Sequence, residues 1–216
     1  MQRPTGGGAR PALLGLAGIA LLVVVVLKLW MHPSVAHLGE HSGPIVVLGD
    51  SISAGVGSES HRGYVAVLET RSGQKLINKG VPGDTTAQGL KRLKADVLDL
   101  KPALVLVELG GNDFLNKVDP AETRANLDNI IAQIQSDGTA VLLIGMQGGV
   151  LSDRAADMFR DLASSHHTAF VPNIMAGIFT DPSLKADPIH PNDAGYEKVA
   201  DKVEPELRWC IQRLKP

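Results

Sequence analysis

Residues 45–48, Ile-Val-Val-Leu, are four consecutive apolar positions without alternation, three of them β-branched. Such a run reads as a strand buried on both faces, the kind found in parallel sheets. The runs at 103–109 and 140–145 have the same character, and shorter ones at 75–78 and 168–171 predict two further strands. Between them, apolar residues recur at helical spacing with polar residues on the opposite side. Val65, Val67 and Leu68 mark a short first helix, and Leu90, Leu93 and Val97 a second that Lys101-Pro102 ends. Leu127, Ile130, Ile131 and Ile134 form a third stripe. That helix is announced by Asp119-Pro120-Ala121-Glu122, an acid at the cap, proline at the first helical position and glutamate at the third, with Gly138 past its end. Ala155, Met158, Phe159, Leu162 and Ala163 make a fourth face, and Tyr196, Val199, Ala200, Val203 and Leu207 a C-terminal helix containing Pro205. Residues 54–63 and 80–86 are built from turn formers and read as loops. Residues 172–187 read as mostly irregular, with one short helix. Strands alternating with helices imply right-handed crossovers and a parallel sheet covered by helices on both faces.

The first 31 residues follow a different pattern. Arg3 and Arg10 lie in a segment without acids, and residues 12–27 carry no charge. Apolar character resumes after Lys28 with Leu29, Trp30 and Met31. Residues 12–31 are long enough to cross a hydrocarbon core of about 30 Å. Two readings fit, an uncleaved anchor or a signal peptide cut near Ser34-Val35-Ala36. Under either, the basic flank stays cytoplasmic and the remainder is exported, so a periplasmic domain anchored to the cytoplasmic membrane is expected. Residues 32–43 read as a polar linker, and 44–216 as one domain.

Charge and cysteine content narrow the partners. Without residues 1–31 the chain has 18 basic and 23 acidic side chains, a balance of −5 with no electrostatic footprint for nucleic acid. The single cysteine, Cys210, excludes an intrachain disulfide and a cysteine-based metal cluster, and its apolar surroundings predict a core thiol.

The first buried strand stops abruptly at Gly49-Asp50-Ser51. Gly49 permits a turn there, and ligands of open α/β sheets bind at such strand ends. Two readings fit Ser51 alone: a helix cap, the commoner use of serine at such a place, and a nucleophile. Asp187-Pro188-Ile189-His190 near the C-terminus is a second candidate, because a carboxylate three residues before a histidine can hold one ring nitrogen and leave the other pointing outward. Pro188 biases Asp187 to an extended conformation and Pro191 suits a helix start. Here too a plain helix cap with a surface histidine fits the motif alone. His166 and His167 lie at a helix end, where positive charge suits the dipole, and His61 lies in a loop.

Taken together, Gly49-Asp50-Ser51, Gly83 after the second strand, Gly110-Gly111-Asn112-Asp113 after the third and Asp187-Pro188-Ile189-His190 resemble the ordered blocks of the SGNH, or GDSL, hydrolase superfamily. Residues 78–90 and Val107-Glu108-Leu109-Gly110-Gly111-Asn112-Asp113 look like the bacterial thioesterase I, arylesterase and lysophospholipase L1 branch. The resemblance covers residue 45 to the C-terminus. It implies a flavodoxin-like three-layer α/β sandwich with a parallel five-stranded sheet in the order 2-1-3-4-5. It further implies a serine esterase acting on carboxylic esters or thioesters through an acyl-serine intermediate, with no metal and no organic cofactor. By position, Ser51 would be the nucleophile, His190 the general base and Asp187 the residue that orients it. The oxyanion hole would be the Ser51 and Gly83 backbone N–H groups and the Asn112 side-chain amide, while Asp50 and Asp113 shape their turns. The expected partner is a small-molecule or lipid ester, and the expected state a monomer. One departure is visible: Met146-Gln147-Gly148-Gly149-Val150-Leu151 stands where the branch usually carries an aromatic, proline-bearing loop that lines the acyl pocket. An envelope carbohydrate O-deacetylase and a non-catalytic small-anion-binding module are the alternatives.

Overall fold

The computed structural model describes residues 34–59, 63–146 and 153–215. Five short strands, β1 (Ile45–Gly49), β2 (Leu76–Gly80), β3 (Leu104–Glu108), β4 (Ala140–Ile144) and β5 (Ala169–Val171), form one sheet in the order β2-β1-β3-β4-β5. Every neighbouring pair is parallel, so the expected order 2-1-3-4-5 holds. The α-helices among the described residues are α1 (Ser51–Ala54), α2 (Tyr64–Ser72), α3 (Thr86–Asp96), α4 (Gly111–Leu115), α5 (Pro120–Ser136), α6 (Asp153–Ser165) and α7 (Asp193–Ile211), and single 3₁₀ turns stand at Leu98–Leu100 and Pro182–Leu184.

Successive strand residues point to opposite faces, and here both faces are dry. Val47, Leu104, Leu106, Leu142 and Ile144 pack with Tyr64 and Leu68 of α2 and with Tyr196, Val199, Val203 and Leu207 of α7. Val46, Leu48, Val105, Val107, Val141 and Leu143 pack with Leu93 of α3, with Leu127, Ile130, Ile131 and Ile134 of α5, and with Phe159 and Leu162 of α6. That double burial is why the central strands lack alternation. Cys210 belongs to the first of these cores and is fully buried, as its apolar surroundings suggest.

The departures from the pattern have local causes. Strand β2 begins one residue later than expected and runs on through Lys79 and Gly80, because an edge strand pairs through its backbone and only Leu76 of it is buried. Helix α4 was not legible as a helix, since Gly110-Gly111-Asn112-Asp113 reads as a turn. Helix α7 is continuous across Pro205. From Val35 onward the stretch read as a linker is packed on the domain: Val35 and Leu38 lie against the core, the Ala36 N–H donates to the His167 carbonyl at 2.9 Å, and a His41 ring nitrogen lies 2.9 Å from the Pro102 carbonyl. Residues 1–31, His61 and most of the 146–151 loop lie outside the described residues. Among the described residues no helix is long and apolar enough to cross a membrane.

Candidate active site

Ser51 stands where β1 ends, as the first residue of α1. The cap of that helix is Asp50, whose Oδ1 accepts the Ile52 N–H at 2.9 Å, so Ser51 is not spent as a cap. Gly49 has another reason than the expected turn. Its φ is not positive, but a Cβ there would collide with the Ser53 hydroxyl and lie 2.9 Å from Glu108 Oε2.

His190 is brought to Ser51 from 139 residues along the chain, its Nε2 3.0 Å from Ser51 Oγ. Nδ1 is 2.7 Å from Asp187 Oδ2. A carboxylate only accepts, so the ring proton belongs on Nδ1 and the Nε2 lone pair faces the hydroxyl. The other Asp187 oxygen accepts the Ile189 and His190 backbone N–H groups, each at 2.8 Å. Partial burial pushes the Asp187 carboxyl up, but the His190 ring and these two N–H groups outweigh it and hold it below the usual carboxylate range. The loop is pinned at both ends, by the Ala186 N–H on the His190 carbonyl at 3.0 Å and by the Asn192 N–H on the Leu184 carbonyl at 3.0 Å. Asn192 caps α7, so Pro191 sits just outside the helix rather than at its first position. Tyr196 on the first turn of α7 donates to the Val56 carbonyl at 2.6 Å and ties this loop to the one following α1.

Asn112, at the start of α4, lines the same cavity as Ser51 and His190. Its Nδ2 donates to Asp50 Oδ2 and to the Asp84 carbonyl, both at 3.0 Å, so both amide protons are engaged within the protein. Gly83 is exposed, adopts φ +87 and precedes Asp84; a side chain would be strained there by the backbone alone. It is not among the cavity-lining residues. Asp113 accepts the Thr86 N–H at 2.8 Å and fastens α4 to the start of α3, the turn-shaping part expected of it. His166 lies away from the site, its Nε2 2.8 Å from Asp128 Oδ1.

Asp50 is nearly fully buried. Burial is the largest influence on it; the Ile52 N–H and His190 pull the other way, while Asp84 and Asp113 add to the burial, and the carboxyl is pushed up to about 6 from its ordinary 3.8. An acid with a raised folded pKa holds its proton longer than the unfolded chain does, so stability falls as pH rises between the two values. The span corresponds to roughly 3 kcal/mol. Asp50→Asn abolishes this titration, so its stability relative to wild type is expected to rise by up to about 3 kcal/mol between pH 4 and pH 8. Urea unfolding at the two pH values checks this, and a pH-independent difference would refute it.

The cavity beside Ser51 has a volume of about 260 Å³. Its polar groups are Asp50, Ser51, Asn112 and His190, and the rest of the wall is apolar, including Phe114, Leu115, Met146, Met175, Phe179 and Ile189. Among the described residues, no lysine or arginine lines it. Met175 and Phe179 come from the stretch read as irregular, so their part in the wall had no periodic signal. Glu108 was also missed, although a glutamate inside an otherwise apolar strand was the available clue.

A hydroxyl, an imidazole and a carboxylate linked in series at the C-terminal edge of a parallel sheet define the molecule as an α/β serine hydrolase. Residues 47–198 match the GDSL-like Lipase/Acylhydrolase family, and the chain belongs to that family. It is 35% identical to Esterase TesA of Pseudomonas aeruginosa over 175 residues, 76% of this chain and 87% of the relative. It is 29% identical to Thioesterase 1/protease 1/lysophospholipase L1 of Escherichia coli K12 over 180 residues, 80% of this chain and 83% of the relative. A crystal structure of TesA superposes with a TM-score of 0.72 at 35% identity, covering 77% of this chain and 99% of that one. The resemblance to the thioesterase and arylesterase branch is thereby borne out.

Proposed function

We propose that this protein hydrolyses carboxylic esters and thioesters of apolar acyl groups, with Ser51 as nucleophile, His190 as general base and then general acid, and Asp187 as the group that orients the imidazole. The observation that carries the reading is the unbroken series Asp187–His190–Ser51 opening on an apolar-walled cavity. Ser51 Oγ attacks the acyl carbon while its proton passes to His190 Nε2. The bond to the leaving oxygen or sulfur then breaks as His190 returns that proton to it. Water repeats the sequence on the acyl-serine, releasing the acid and restoring Ser51. The oxyanion would be met by the Ser51 and Gly83 backbone N–H groups and the Asn112 amide. Because both Asn112 protons already have acceptors, an oxyanion would share a proton held by Asp50 or by the Asp84 carbonyl.

The apolar character of the described wall favours an acyl chain over a sugar, which would need more hydrogen-bonding groups than its four described polar side chains supply. The names of the relatives, an esterase and a thioesterase/lysophospholipase, support the same class. The expected result is hydrolysis of p-nitrophenyl esters with kcat/KM rising by up to about fourfold per added methylene until the cavity is filled, from about 0.8 kcal/mol per buried CH₂. A chain-length series from acetate upward checks it, and a maximum at acetate with a steep fall thereafter would point to deacetylation instead.

The domain is further proposed to work outside the cytoplasm, exported behind the apolar stretch of residues 12–31 and held to the membrane by it. Fusions after Pro216 test this. Active alkaline phosphatase and dark green fluorescent protein are expected, and the opposite pair places the domain in the cytosol.

A further inference from the structure

Glu108 is the only acid in the described strands and has no part in the chemistry above. It ends β3 opposite Gly49 of β1, and its side chain is completely buried beneath the turn that carries Ser51. Its Oε2 accepts from the Ser53 hydroxyl at 2.7 Å. That hydroxyl is also 2.9 Å from the Tyr64 hydroxyl, and Ser53 and Tyr64 are fully buried in turn. The missing Cβ of Gly49 is the space this cluster occupies. The second oxygen, Oε1, has no hydrogen-bond partner among the described residues.

The groups that face Glu108 electrostatically are Asp50, Tyr64 and Tyr196; those that face Asp50 are Glu108, His190, Asp84, Asp113, Tyr64 and Tyr196. No lysine or arginine is among them in the described residues; Arg92, which donates to the Gly49 carbonyl at 3.0 Å, is paired with Asp84 at 2.6 Å. Donors reach the carboxyl on one side only, so an anion there would keep an undonated oxygen in a dry site, a desolvation cost that a proton removes. Burial first, and the charge of Asp50 second, outweigh the Ser53 hydroxyl and the Asp50 and Ser53 backbone N–H groups, which favour the anion, and hold the Glu108 carboxyl well above the usual carboxylate range. Two neighbouring buried acids share the ionisation unevenly.

We propose that Glu108 is a positioning residue, a neutral carboxyl under the nucleophile turn that fixes residues 50–53 through Ser53 and leaves the negative charge of the pair on Asp50. There the charge is used. Asp50 Oδ2 holds the Asn112 amide at 3.0 Å, and the same carboxylate faces His190, where it favours the imidazolium as it forms. Were Glu108 ionised instead, Asp50 would take up the proton and Asn112 would lose an ionic acceptor.

The inference rests on the hydrolase reading of Ser51 but is tested apart from it. The infrared difference spectrum of resting wild type minus Glu108→Gln at pH 7 is expected to show the carbonyl band of a protonated carboxyl. Carboxylate bands in its place overturn the proposal. With p-nitrophenyl butyrate, Glu108→Ala is expected to lose about 10²-fold in kcat with little change in KM, as a displaced nucleophile does. Glu108→Gln, neutral and of the same shape, is expected to recover kcat to within about fivefold of wild type. A glutamine variant as poor as the alanine one would mean that the carboxyl acts through its charge, and the proposal fails. If Glu108→Ala does not fold, the spectrum and the glutamine variant decide. Full activity in Ser51→Ala would instead remove the hydrolase reading and leave the infrared result standing.

Discussion

Ser51→Ala loses at least about 10³-fold in kcat on p-nitrophenyl butyrate, while the fold is retained. Of the described residues that line the cavity, Ser51 alone carries a hydroxyl or thiol, so its removal leaves His190 only water to activate. What remains is the contribution of binding and of the oxyanion donors, neither of which forms the acyl intermediate. The fold should not suffer. Among the described residues the Ser51 hydroxyl bonds only to His190, and helix α1 is capped by Asp50 rather than by Ser51. Initial rates together with circular dichroism of the purified variant check both halves. More than about a tenth of wild-type turnover in a folded Ser51→Ala would remove Ser51 from the mechanism.

Asp187→Asn is expected to cost about 10³- to 10⁴-fold in kcat with KM nearly unchanged. The geometry makes the loss a matter of tautomer. Asp187 accepts three N–H groups, two from the backbone through Oδ1 and one from the His190 ring through Oδ2. In asparagine the single carbonyl oxygen stays with the two backbone donors, and the amide nitrogen turns toward His190 Nδ1. A donor there draws the Nδ1 lone pair, puts the ring proton on Nε2, and leaves nothing to accept the Ser51 proton. The Asp187 side chain is 42% exposed, so water can partly stand in for the lost acceptor and the lower end of the range is the better expectation. Equal losses in kcat and gains in KM would make Asp187 a substrate contact instead.

How far the site was readable along the chain differs from residue to residue. Ser51, Asp187 and His190 were visible as candidates by type and local spacing, but each motif alone also fitted a helix cap, and their roles came from the resemblance of the ordered blocks together. Asn112 and Gly83 carried no such signal beyond the motif they belong to, since neither is near Ser51 in sequence. For Gly49 the position was legible but the reason was not. The glycine was expected to serve a turn, whereas the space it leaves is filled by Ser53 and by Glu108, a residue from another strand.

The succession of buried strands along the chain and the helices between them were determined by the sequence itself, through periodicity and turn chemistry that act over a few residues; the order of the strands in the sheet and the roles proposed for the site residues came from the family resemblance. The tertiary structure alone decided that Asp50, and not Ser51, caps α1 and that both Asn112 protons are engaged. It also decided that Met175 and Phe179 wall the cavity and that Glu108 lies dry beside Asp50. Each of these depends on which groups distant in the chain exclude water from one another, and desolvation belongs to the packed neighbourhood rather than to any residue alone.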